Sequence, residues 1–201
     1  MFSKDYEGLL LIDVQNTCTE KEYEIPEWGL TLKKCREKVE QIESLVNIFR
    51  QKDLPIIHIT TTEWKKEHLE WNIQKLYDEN PDAKFYHSGL PQGLINRLPG
   101  EYHFRKNMPS AFGGTDYLER SLSDLFDEKG WKHFAIAGFF STGCVHETII
   151  EGFNRNKLFW YIVRDCTETF DSEKKQLLQK MLFEEHFFCM NGHVVNMADC
   201  M

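Results

Sequence analysis

The 201-residue chain has no C-x-x-C pair, no excess of positive charge and no strongly apolar stretch long enough to span a bilayer. Each absence excludes a class of protein. The six cysteines (Cys18, Cys35, Cys144, Cys166, Cys189 and Cys200) are scattered, which argues for free thiols in a reducing compartment rather than a disulfide or zinc framework. Lys and Arg number 24 against 32 Asp and Glu, a formal net charge of -8. That sign is wrong for a nucleic-acid footprint or an anionic membrane surface. Met1 to Glu7 lacks the basic-then-apolar order of a secretory signal, so a cytoplasmic protein is expected. Nothing repeats, and no low-complexity stretch or second boundary divides the chain. Residues 1–201 read as one domain.

What is present is an ordinary globular composition, 41% apolar and 28% charged, arranged as short apolar runs between helical periods. Gly8 to Val14 is an unbroken apolar run ending in Asp13, the pattern of a strand covered on both faces. Thr31 to Gln51 carries Val39, Ile42, Leu45, Val46 and Phe49 at helical spacing. Leu54 to Thr60 is a second buried strand, in which His58 reads as a satisfied core histidine. Residues 61–99 read as a loop-and-helix excursion over the sheet edge. Tyr102 to Lys106 is a third strand, and a helix is predicted from about Tyr117 to Lys129. Ala135 to Phe139 is the fourth strand, broken at Gly138, and His146 to Asn156 the helix behind it. Leu158 to Val163 is the fifth. Ser172 to Glu185 is a helix with Leu177, Leu178, Met181 and Leu182 on one face. A last edge strand is expected at Phe187-Phe188 or at His193 to Val195.

This alternation predicts an α/β fold: three α-β-α layers around a mainly parallel, doubly wound (Rossmann-like) sheet of about six strands. Asp13, Lys106 and Cys144 then fall at C-terminal strand ends, the edge where open α/β sheets place their sites. Singly, each has an ordinary explanation: a turn-capping carboxylate, a solvated lysine, a small buried thiol. Together they form a nucleophile, a base and a cation on one edge. Cys144 opens a helix, where the macrodipole favours a thiolate and free N–H groups can receive an oxyanion.

The motifs Asp13-Val14-Gln15, Lys106 to Phe112 with Thr115 and Leu118, and Gly138 with Cys144-Val145 and Thr148 resemble the isochorismatase-like cysteine hydrolases. These include nicotinamidases, N-carbamoylsarcosine amidase and ureidoacrylate amidohydrolases. The resemblance spans Gly8 to Asp165. It implies an Asp13–Lys106–Cys144 triad, a cis peptide between Phe139 and Phe140, and an oxyanion hole from the N–H groups of Phe140 and Cys144. It also implies a small-molecule substrate and a homo-oligomer, with no cofactor. Nicotinamidases of this kind bind a metal through an Asp-x-His pair after the second strand. Here Thr60 to Trp64 offers no such pair, so no metal is expected. Glu151-Gly152 stands where Asp-Ala is usual, a change of helix packing.

The activity expected is hydrolysis of a small amide or carbamoyl C–N bond through a cysteine thioester. Trp28, Trp64, Phe112 and Phe140 are candidates for the substrate wall, although ordinary packing would explain any one of them. Two other readings are open: vinyl ether hydrolysis of the isochorismate type with Asp13 as acid, and a non-catalytic interaction protein on the same fold.

Overall fold

The computed structural model describes residues 6–26, 29–62, 71–79, 92–186 and 192–201. The strands are β1 (Leu9–Ile12), β2 (Ile56–Thr61), β3 (Tyr102–Lys106), β4 (His133–Phe139), β5 (Phe159–Glu168) and β6 (Gly192–Val195). They form one sheet in the order β3-β2-β1-β4-β5-β6, and every pairing is parallel. The helices are α1 (Lys33–Gln51), α2 (Trp71–Glu79), α3 (Leu122–Lys129), α4 (Cys144–Asn156) and α5 (Glu173–Met181).

Alternate residues of each strand build the two cores, because successive side chains point to opposite faces. Leu9, Leu11, Ile56, Ala137, Tyr161 and Val163 share one core with Ile42, Leu45, Val46 and Phe49 of α1. Leu10, Ile12, Ile59, Phe104, Ile136 and Ile162 share the other with Leu122 and Phe126 of α3 and Val145 and Ile149 of α4. Burying one such side chain stabilises by about 1.5–3 kcal/mol relative to leaving it exposed.

Three expectations need correction. The helix predicted from Tyr117 begins at Leu122, because Ser121 and Asp124 form a capping box there; Tyr117 is left exposed. β5 does not stop at Val163 but runs through Arg164, Asp165 and Cys166 to Glu168, with a register shift against β4 between Ile136 and Gly138. The apolar stripe of α5 is not its inner face: Leu177, Leu178 and Met181 are exposed. Gln176 and Gln179 turn inward instead, toward Glu168, and the apolar contact is made by Leu182 and Phe183 in the π-helical turn that follows. The last strand is the His193 to Val195 alternative; Phe187-Phe188, like most of the 61–99 excursion, lies outside the described residues.

Candidate active site

The chain passes from β1 outward to β2 and β3, then returns to β4 on the other side of β1. The order therefore reverses between β1 and β4, where an open parallel sheet leaves a crevice at its C-terminal edge. Asp13 leaves β1 at that crevice with φ of +50°, a left-handed conformation that Asp tolerates better than most residues. Its N–H donates to the Ile59 carbonyl at 3.0 Å, tying the turn to β2. Gly138 lies alongside at φ +117°, where a Cβ would stand 2.1 Å from the Ile12 carbonyl oxygen. Only glycine lets the end of β4 come so close to β1. The Phe139–Phe140 peptide bond that follows is cis.

Lys106, at the end of β3, places Nζ 2.8 Å from Asp13 Oδ2 and donates a longer bond of 3.2 Å to the Met108 carbonyl. Cys144, the first residue of α4, places its thiol close enough to Asp13 and Lys106 for each to shift the titration of the others. All three side chains are buried. Asp13 Oδ1 is buried without a conventional hydrogen-bond partner. The structure thus brings together the three groups that the sequence put forward.

Their electrostatics follow from counting charges. Burial opposes the Lys106 ammonium, but Asp13 and Cys144 more than offset it and hold the amine above its ordinary value. Burial raises the Asp13 carboxyl, with Lys106 pulling the other way. Burial, opposed by Lys106 and reinforced by Asp13, pushes the Cys144 thiol up to about 12. One cation can neutralise one anion here, so a thiolate beside an ionised Asp13 would leave a net buried charge. A thiol beside an ionised Asp13 keeps the charge balanced, and burial works against the thiolate that the helix N-terminus favours.

Neighbouring side chains fix these groups in place. Gln15 is fully buried and donates to Thr17 Oγ1 at 2.5 Å and Thr61 Oγ1 at 2.6 Å, while its Oε1 accepts from the Thr61 N–H at 3.0 Å. It stitches the end of β1 to the end of β2. Thr148 Oγ1 donates to the Cys144 carbonyl at 2.7 Å and accepts from the Ala111 N–H at 3.0 Å, joining α4 to the turn after β3. Behind the loop that carries Cys144, Ser141 Oγ donates to Gln179 Oε1. Glu168 Oε1 accepts from Gln179 Nε2 and Gln176 Nε2 at 3.0 Å each and from the Thr169 N–H at 2.9 Å. Sequence reasoning missed this last network. Its one signal was a pair of glutamines three residues apart on a helix read by its apolar stripe.

Of the aromatic candidates, Phe140 stacks on Phe170 with centroids 4.0 Å apart. Phe112 is buried against Phe126 and over Gly152, where a Cβ would meet its ring at 2.8 Å and Trp160 at 2.6 Å. Gly152 thus exchanges a side chain for two rings, the packing change expected from Glu151-Gly152. Trp28 and Trp64 lie outside the described residues. Where nicotinamidases are expected to carry metal ligands after β2, this chain has Thr60, Thr61 and Thr62. Among the described residues no group of three or more His, Cys, Asp or Glu is arranged to hold a metal ion. Neutral hydroxyls are a poor donor set for a divalent cation, so the described residues of this edge do not fit one.

A doubly wound parallel sheet with a buried carboxylate, amine and thiol at its switch point belongs among the α/β hydrolytic folds. The chain belongs to the isochorismatase family: the model of the isochorismatase domain matches residues 7–197. Members of this family include hydrolases and amidases. Among solved structures, a cysteine hydrolase from Pseudomonas syringae pv. phaseolicola is similar at 13% identity, covering 98% of this chain and 92% of its own, with TM-score 0.72. N-carbamoylsarcosine amidase from Thermoplasma acidophilum is similar at 15% identity, 96% of each chain and TM-score 0.69. The nicotinamidase PncA of Bacillus subtilis follows at 16% identity, 95% and 99% coverage and TM-score 0.63. At these identities the likeness is one of fold. By sequence, no curated protein matches significantly. Among the described residues no helix is long and apolar enough to cross a membrane.

Proposed function

We propose that this protein hydrolyses a small-molecule amide or carbamoyl C–N bond through a thioester on Cys144, with Asp13 as proton carrier and Lys106 as the fixed positive charge. The observation that carries this reading is the 2.8 Å pair of Lys106 and Asp13, buried, with the buried Cys144 thiol near enough for both to act on it.

A protonated thiol is a weak nucleophile, so it must lose its proton as it attacks. Moving that proton to Asp13 leaves the local charge unchanged: carboxylate and thiol become carboxylic acid and thiolate, still facing one ammonium. A raised Asp13 and a thiolate stabilised by Lys106 bring the two proton affinities toward each other, which is what makes the transfer feasible. Attack on the carbonyl carbon forms the C–S bond and an oxyanion, which the N–H groups of Phe140 and Cys144 would receive. Cys144 opens α4, so its N–H lies outside the helical ladder. Such donors are each worth about 3–4 kcal/mol. Collapse breaks the C–N bond, and the proton held by Asp13 goes to the departing ammonia or amine. Asp13, ionised again, takes a proton from water as the water attacks the thioester. That returns the acid product and the thiol. Of the four aromatic candidates, Phe112 and Phe140 are the described residues that we assign to the substrate wall.

A panel of amides, ureas and carbamoyl compounds assayed by ammonia or amine release tests this. Wild-type turnover should fall by at least ~10³-fold in Cys144→Ala and nearly as far in Asp13→Asn. Undiminished turnover in either variant would remove the thioester mechanism.

A further inference from the structure

Two cavities, of about 490 and 630 Å³, adjoin at the open edge of the sheet over the ends of β2 and β3; Thr62, Arg97, His103 and Arg105 line both. Neighbours along a strand point to opposite faces, so Arg105 stands on the other side of the sheet from the Lys106 side chain. Lys106 nevertheless lines the second cavity, so the groove borders the buried Asp13–Lys106 pair.

Its charges do not balance. No carboxylate lines the first cavity among the described residues, and only Asp116 lines the second. Asp116 is already engaged: Arg120 Nε and Nη2 lie 3.1 and 3.0 Å away, and the Leu118 and Arg120 N–H groups donate at 2.9 and 3.0 Å. Glu101, on the neighbouring loop, is engaged as well. It accepts from Arg50 at 2.7 and 3.1 Å and from the Leu98 N–H at 2.9 Å, and it pairs with His58 at 2.8 Å. Arg97 makes only a long 3.4 Å contact with the Glu101 carbonyl. The Arg105 guanidinium has no ion pair among the described residues, although its backbone is held by Thr115. His103, half-buried between them and bonded to Thr60 Oγ1 at 2.9 Å, is pushed down to about 4, by burial first and then by Arg97 and Arg105. In a chain of net charge -8, two exposed guanidiniums share a concave wall in which no described carboxylate is left free to pair with them.

We propose that this groove is a binding site for a small organic anion, carboxylate or phosphate, gripped by Arg97 and Arg105. Planar guanidiniums suit both groups because each presents paired N–H donors to paired oxygens. Thr62 and Asn96 supply neutral donors in the same wall, and the cavity volumes suit a metabolite-sized ligand.

Isothermal titration with citrate and, separately, with inorganic phosphate at physiological ionic strength tests the site without reference to turnover. Wild-type protein should bind at least one of them at a single saturable site. Binding should weaken tenfold or more in Arg97→Gln/Arg105→Gln and persist in Cys144→Ser. Citrate without phosphate identifies a carboxylate ligand, and the reverse a phosphate. Both guanidiniums are exposed, so the double variant should fold, and its circular-dichroism melt verifies that. Absence of saturable binding by both anions, or equal binding in the folded double variant, would overturn the proposal.

Discussion

Asp13 and Lys106 come from strands separated by β2, yet their charged groups meet at 2.8 Å with side chains 2% and 0% exposed. A buried pair of this kind is costly to break, because the surviving charge has lost both water and partner.

Lys106→Met should therefore destabilise the protein by about 3–5 kcal/mol, a loss that Asp13→Asn added to it should partly restore. Denaturant midpoints of the two single variants and the double variant measure this. Additive losses would mean that the charges are not coupled.

Thiol reactivity should respond to the two partners in opposite senses. Lys106 lowers the Cys144 value and Asp13 raises it. Alkylation of Cys144 near pH 8, followed by peptide mapping, should be slow in the wild type, slower in Lys106→Met and faster in Asp13→Asn.

Alkali should destabilise the fold before other groups titrate. Burial raises the thiols of Cys18, Cys35, Cys144 and Cys166, the last two to about 12. A raised native value means that the folded chain keeps a proton where the unfolded chain releases it. This contribution is complete below the unfolded thiol value of about 8.5 and is lost as pH climbs toward 12. The thermal midpoint should fall across that window.

Gly152→Ala should cost about 1–3 kcal/mol, since its methyl would press on Phe112 and Trp160. Gly138→Ala should do worse, meeting backbone rather than movable rings at an unfavourable φ. Comparing the two melts separates ring packing from strand closure.

Gln179 touches neither the nucleophile nor its partners, but it holds Ser141 to Glu168. Gln179→Ala should lower turnover by roughly 5- to 100-fold with little change in KM, as expected when a reacting atom is displaced rather than a contact removed. An unchanged turnover number would show the loop to be held by its backbone alone.

The strands were legible because parallel sheets demand continuous apolar runs, and β1, β2, β4 and the first half of β5 supply them. Asp13 and Cys144 were legible for the same reason, since each follows such a run with a reactive group; Lys106 closes β3, whose Tyr, His and Arg make no such run. The second half of β5 was hidden because Arg164 and Asp165 end its apolar run. They fall where the register against β4 shifts, and pairing resumes at Thr167 and Glu168. α5 misled for a different reason. Periodicity reports that a helix has two faces, but not which one turns inward when a buried carboxylate such as Glu168 needs amide donors. The guanidiniums of Arg97 and Arg105 gave no sequence signal at all, since what matters about them is that Glu101 and Asp116 are engaged elsewhere.

The order of the strands also sets a length. Two spacings of about 4.8 Å separate β3 from β1, and the Lys106 side chain, the 2.8 Å contact and the Asp13 carboxylate together cross them. Lysine, with four methylenes and a compact head, has that reach. A shorter amine would stop over β2 and leave Asp13 without its partner. The sheet acts as a gauge, and the residue at 106 is the one cut to fit it.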